Sequence, residues 1–324
     1  MALISVDHVS KAFKIPKVQP GLTGSIKSLF HREYDVRQAV DDMSFALEAG
    51  EMVGYIGPNG AGKSTTIKML SGVLIPDSGD ILVDGLKPYE NRSENARNIG
   101  VVFGQRSQLY WDLPVSDTFD IFKKLYSIPD DIFNSNRKLF IELLDMSEIM
   151  DQPARQLSLG QKMKANLALS MLHNPRVLYL DEPTIGLDIV TKRRLRACIK
   201  EINSRLGTTI ILTTHDMDDI EEICQRIILI DRGRKLFDGA IREFKDKYAS
   251  GARYRLEFDE LPTWQPHEGW SLTAGESYWI VHTEQPYSKE ALITLIEQYA
   301  PRNIYSEEIT IEDMIYRLFE RRDQ

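Results

Sequence analysis

Gly57-Pro58-Asn59-Gly60-Ala61-Gly62-Lys63-Ser64-Thr65 stands between the apolar run EMVGYI and the helically spaced run KSTTIKMLS. A glycine-rich turn that ends in lysine and a hydroxyl residue, entered from a buried strand and left through a helix, meets the phosphate-loop pattern in its required context. Its glycines let successive backbone N–H groups face phosphates, Lys63 reaches the outer phosphates, and the Ser64 hydroxyl is placed for magnesium. Such a loop needs a sheet to hold it. VLYLDE (177–182) and TIILTTH (209–215) supply further strands, and their apolar runs are too continuous for half-exposed strands, which suits a parallel sheet covered on both faces. Helical patterns at 63–71, 119–126, 137–146, 160–173, 191–205 and 217–224 separate them and predict an α/β core with a largely helical insertion from about 107 to 172.

The flanks read differently. Residues 2–7 and 38–48 have the short, partly alternating character of antiparallel strands, and 14–33, with prolines, glycines and excess positive charge, reads as a surface insertion. After residue 245 the strand-like runs RYRLEF and SYWIVH and the amphipathic runs at 288–300 and 310–322 predict a small α/β appendage. With 324 residues, 42% of them hydrophobic, the chain can bury one large core and one smaller one, and the expected division is 1–244 and 245–324.

Charge and cysteine usage narrow the setting. With 40 basic against 48 acidic residues the net charge is -8, unlike the basic footprint of a dedicated nucleic-acid binder, so no nucleic-acid partner is expected. Cys198 and Cys224 fall in predicted helices without metal-ligand spacing and read as ordinary buried thiols of a reducing compartment. No run of eighteen apolar residues and no signal peptide are present, which predicts a cytoplasmic chain that could still sit on a membrane through a partner.

Asp181 and Glu182 end the strand VLYL, where the C-terminal ends of parallel strands face a ligand crevice. Such a pair is either a solvated strand end or, beside a phosphate loop, a division of labour: Asp181 holding magnesium through water, and Glu182 deprotonating the attacking water. Gln105 after VVFG, His215 ending TIILTTH and Asp188 after PTIGL can reach the same crevice, although each alone is an ordinary strand-end or loop residue. LSLGQ (157–161) reads as a capping box ahead of KMKANLALSMLH. A helix start is also an anion site, because its first N–H groups lack partners and the dipole favours negative charge.

The order GPNGAGKST, Gln105, LSLGQ, VLYLDEPT, IGLD and TTHD resembles the nucleotide-binding subunit of an ATP-binding cassette (ABC) transporter over roughly residues 2–240. The resemblance implies a P-loop NTPase core with an antiparallel β subdomain and a helical subdomain, binding ATP and Mg2+. It implies that Gln105 contacts magnesium and the attacking water, that His215 holds the γ-phosphate side, that Asp188 lies at the contact of two cassettes, and that Tyr34, 23 residues before Gly57, stacks on adenine. It also implies that Ser158, Gly160 and Gln161 of one chain face the phosphate loop of another, in a homodimer or with a paired ABC subunit, so that ATP is enclosed between two chains. Leu159 stands where the family more usually has glycine, so its side chain must point away from the nucleotide.

VVFGQRSQLYWDLP, RQLSLGQKMKANLALSMLHNP and LTTHDMDDIE look like the daunorubicin-resistance-like exporter branch, particularly its viologen-exporter-like subgroup. That resemblance implies integral-membrane permease subunits as separate partners and a peripheral position on the cytoplasmic face of the cell membrane. Leu109, Tyr110, Trp111 and Leu113 are then either core of the helical insertion or the lining of a groove for a permease helix. For 14–33 the readings are a solvated loop or a contact with anionic headgroups or the permease. A single set of motifs, with no long coiled coil or zinc module, sets the chain apart from ribosome-acting and chromosome-acting cassette ATPases. An importer ATPase is closer in kind, but the branch wording favours export.

Overall fold

The apolar runs of the sequence become the central strands of a six-stranded sheet in the computed structural model, which describes residues 2–16, 34–104, 106–249, 251–265, 267–283 and 289–323. Its first compact unit, Met1–Ala240, runs β1 (Ile4–Pro16), β2 (Tyr34–Leu47), β3 (Met52–Ile56), α1 (Lys63–Leu70), β4 (Ser78–Val83), α2 (Arg92–Asn98), β5 (Ile99–Phe103), α3 (Val115–Leu125), α4 (Asp130–Leu144), α5 (Leu159–Met171), β6 (Val177–Asp181), α6 (Ile189–Leu206), β7 (Thr209–Thr213), α7 (Met217–Ile223), β8 (Arg226–Asp231) and β9 (Arg234–Ala240). The central sheet has the order β5-β6-β7-β3-β8-β9, parallel except for β9. Three helices, α3 to α5, fill the connection between β5 and β6.

Strand order places the chemistry. β3, β7 and β6 are adjacent, so the loops leaving their C-terminal ends, those of Gly57–Lys63, His215 and Glu182, emerge side by side. Beneath them Val53, Tyr55, Ile67, Tyr179, Ile211 and Ile228 share one buried core with Ile4, Val40, Met43 and Val83 of the antiparallel sheet β2-β1-β4. The phosphate loop is thereby clamped between two sheets.

β1 and β2 reach further than the sequence pattern predicts. Lys14↔Val36, Ile15↔Asp35 and Pro16↔Tyr34 pair as an antiparallel ribbon, so residues 14–16 of the expected surface insertion are strand and β2 begins directly after it. Residues 17–33 of that insertion lie outside the described residues.

The second unit, Ile241–Gln324, has an antiparallel sheet of order β11-β12-β10-β13 with three helices. It is built from α8 (Ile241–Tyr248), β10 (Ala252–Glu257), β11 (Trp270–Ala274), β12 (Tyr278–Thr283), α9 (Lys289–Tyr299), β13 (Asn303–Glu307) and α10 (Ile311–Asp323). The alternating run ARYRLE turns Tyr254 and Leu256 inward against Trp279, Val281 and Leu295, a half-buried strand pattern. Among the described residues no helix is long and apolar enough to cross a membrane.

Candidate active site

A cleft of about 380 Å³ opens over the phosphate loop, lined by Asn59, Gly60, Gly62, Lys63, Ser64 and Thr65 from the loop and α1, and by Glu182 and His215 from the neighbouring strand ends. Gly62 caps α1 at φ 110°, a backbone conformation that L side chains rarely adopt. The nearly buried Lys63 donates from Nζ to the carbonyl oxygens of Gly57 (2.6 Å) and Pro58 (3.2 Å). Burial pulls its ammonium below the ordinary value, while Glu182 and Asp181 pull the other way.

Asp181 is held from two sides. Ser64 Oγ donates to Oδ2 at 3.1 Å and Thr213 Oγ1 donates to Oδ1 at 2.5 Å, which ties the phosphate loop and β7 to the end of β6. Glu182 follows at φ 57°, a left-handed backbone that costs a non-glycine residue about 1–2 kcal/mol. That turn points its carboxylate into the cleft, where Oε1 meets His215 Nε2 at 3.0 Å. Burial pushes the Glu182 carboxyl above its ordinary value, with His215 and Lys63 pulling it back. A carboxylate so placed can accept a proton beside a phosphate loop.

Ser64 and Asp181 fit magnesium as a donor set. Both offer oxygen, and magnesium suits one or two protein oxygens completed by phosphates and water. Among the described residues no cluster of three or more His, Cys, Asp or Glu could hold a metal by itself. Gln105 lies outside the described residues.

Among the described residues the aromatic lining the cleft is Phe13, and Tyr34, which the resemblance implies stacks on adenine, is not among the lining residues. Ile15 and Arg37 line the cleft as well. Strand parity is the reason: Phe13↔Arg37 and Ile15↔Asp35 face one side of the ribbon, so Tyr34, three positions from Arg37, falls on the other. Alternation of Phe13 and Ile15 was visible in the sequence, but which face met the loop depended on the pairing register with β2.

Ser158, Gly160, Gln161 and Asp188 are not among the residues lining this cleft. Ser158 caps α5 in a full capping box, its Oγ accepting from Gln161 N (3.3 Å) while Gln161 Oε1 accepts from Ser158 N (2.8 Å). Gly160 lets α5 approach α6, since a Cβ there would lie 3.0 Å from Thr191 Cγ2. Leu159 is 48% exposed and leans towards Gly186, whose Cβ position is 3.0 Å from its Cδ2. Asp188 caps α6 through Thr191 N (2.9 Å) and Thr191 Oγ1 (2.7 Å), and those donors hold its carboxyl below the ordinary value.

The family model for ABC transporters matches residues 40–185. Over 211 residues the chain is 36% identical to Nod factor export ATP-binding protein I of Burkholderia pseudomallei (strain 1710b), covering 65% of this chain and 69% of that protein. It is also 36% identical over 212 residues to the probable multidrug ABC transporter ATP-binding protein YbhF of Escherichia coli (strain K12), covering 65% of this chain but spanning only 36% of YbhF. A solved ATP-binding subunit of an ABC transporter superposes with a TM-score of 0.64 at 23% identity, over 76% of this chain and 93% of that one, which shows a shared fold. Phosphate loop, strand order and relatives agree: the chain belongs to the ABC transporter family and is one of its ATPases.

Proposed function

We propose that the chain is the ATP-hydrolysing engine of an exporter, acting with separate membrane permease subunits from the cytoplasmic face of the membrane. The observation that carries the catalytic part is the Glu182–His215 pair facing Lys63 and Ser64 across one cleft. Lys63 exchanges its loop carbonyls for the outer phosphates, and Ser64 with Asp181, the latter through water, holds magnesium, which neutralises charge on the phosphates when bound. Glu182 takes a proton from water as the water oxygen bonds to the γ-phosphorus and the bond to the bridging oxygen of ADP breaks. His215 steadies both the carboxylate and the γ-phosphate side. Gln105 completes the magnesium and water contacts by its place in the sequence.

Because LSLGQ starts a helix outside this cleft, that helix N-terminus suits the nucleotide of a second chain. Binding of ATP then joins two cassettes, in a homodimer or with a paired ABC subunit, and hydrolysis releases them. Phe13 is the platform for adenine. Phe13→Ala is expected to weaken ATP binding on the order of tenfold, read by titration with a fluorescent ATP analogue, whereas Tyr34→Ala leaves it unchanged. The reverse ranking would restore Tyr34 to that role.

Export rather than another task rests on the branch wording and on relatives whose names include export and multidrug transport. At the start of the helical insertion Leu109 is buried, while the aromatics Tyr110 and Trp111 are 47% and 64% exposed, with Lys162 Nζ 5.1 Å from the Trp111 ring centre. That exposed pair is the docking point for a permease helix. Affinity purification from gently solubilised native membranes is expected to recover a multi-span membrane protein, and Trp111→Ala to lose it while keeping ATP binding. Recovery of ribosomal or DNA-bound material instead overturns the transport role.

A further inference from the structure

Next to the loops that carry Glu182 and His215 stands a second set of charged residues, none of which lines the cleft. α6 presents Lys192, Arg196 and Lys200 on one face at intervals of one turn, and the segment 216–222 answers with Asp216, Asp219 and Glu222. Lys192 Nζ meets Asp216 Oδ2 at 2.5 Å, Arg196 Nε meets Asp219 Oδ1 at 2.5 Å, Arg196 Nη1 meets Glu222 Oε2 at 3.0 Å, and Lys200 Nζ meets Glu222 Oε1 at 3.5 Å. Asp219 is fully buried at the centre of this ladder.

The other oxygen of Asp219 carries the functional link. Its Oδ2 accepts from Thr184 Oγ1 and, at 3.2 Å, from Thr214 Oγ1. Thr184 lies two residues after Glu182, and Thr214 immediately before His215. One carboxyl group therefore pins both loops that meet in the cleft, and Arg196 anchors it to the helix whose N-cap is Asp188. A buried ion pair adds little stability over apolar packing of the same volume, so this network is better explained by the geometry that it fixes.

We propose that Asp219, with Arg196, Thr184 and Thr214, is the positioning frame of the Glu182–His215 pair, tying its alignment to the start of α6. The inference rests on the assignment of Glu182 and His215 to hydrolysis. A carboxylate shifted by about 1 Å costs on the order of 10²-fold in rate while nucleotide binding, which the phosphate loop governs, stays intact. Thr→Val keeps the shape of each threonine and removes only its hydroxyl.

The test compares Thr184→Val, Thr214→Val and the double variant in the full chain, measuring phosphate release at varied ATP and equilibrium ATP binding. kcat is expected to fall about tenfold or more in each, with affinity unchanged, and Thr184→Ser and Thr214→Ser to regain most of it. Asp219→Asn gives a second reading of the same split should a valine variant not fold. Wild-type kcat in the double variant, serine variants as impaired as the valines, or a loss of ATP affinity that accounts for the whole effect each overturn the frame. Glu182→Gln is run alongside: full turnover there overturns the base assignment itself, whereas a dead Glu182→Gln with fully active threonine variants overturns the frame alone.

Discussion

Glu182→Gln is expected to abolish turnover and leave ATP binding intact. Glutamine matches glutamate in size and can still meet His215, 3.0 Å away in the native pair, so the left-handed turn at 182 and the cleft around it keep their shape. What disappears is the proton acceptor. General-base assistance contributes about 10²–10⁴-fold, so phosphate release should drop by at least about 10²-fold, while titration with a fluorescent ATP analogue gives the unsubstituted affinity. Lys63, Ser64 and the loop N–H groups, the proposed phosphate binders, are not themselves substituted by the change. The variant also arrests the proposed cycle at its joined stage, so excess ATP and magnesium should hold it as a dimer by light scattering. Undiminished phosphate release removes Glu182 from the base role; a dead variant that stays monomeric argues against a stable dimer of the isolated subunit.

How much of this was legible in the sequence follows from how local each signal is. The phosphate loop, the capping box at Ser158 and the buried runs of β6 and β7 declare themselves within a few residues, and the structure holds all of them. The α4 helix begins at Asp130 rather than near 137, because DDIFNSN is polar apart from Ile132 and Phe133; its buried residues Phe133, Asn136, Phe140 and Leu144 nonetheless keep helical spacing. β11 and β13 are five residues each, with no buried position, and only pairing in the sheet makes them strands. Which aromatic lines the cleft is set non-locally. Counting back from the loop selects Tyr34, whereas the register of β1 against β2 decides that Phe13 faces it. The Asp219 network was invisible for the same cause: Thr184 and Thr214 lie within quoted motifs, but their shared contact with Asp219 and Arg196 arises only when separate segments meet in the fold.

Gly62→Ala should remove ATP binding with the fold retained. Gly62 has φ 110° and ψ 0°, outside the range that an alanine adopts without strain, and a Cβ there would sit 2.3 Å from the carbonyl oxygen of Ala39. That oxygen belongs to the backbone of β2, locked between the sheet and the loop, so the loop must yield instead. Yielding moves Lys63, the next residue, and breaks the cap in which the Gly62 carbonyl accepts from Thr66 N at 2.9 Å. Convergent N–H groups hold phosphate only while they point at one place, so the affinity should fall by at least about 10²-fold, since well-placed charge-assisted hydrogen bonds are worth about 1.5–3 kcal/mol each. Gly207→Ala separates this effect from strain in general. Gly207 has φ 66°, yet nothing lies within 4 Å of its Cβ position, at the far end of α6. There the cost is about 1–2 kcal/mol of stability, seen as a lowered Tm with ATP affinity unchanged. If Gly62→Ala likewise loses only Tm and binds ATP normally, the shape of the loop is not what holds the phosphates, and Lys63 with Ser64 must suffice.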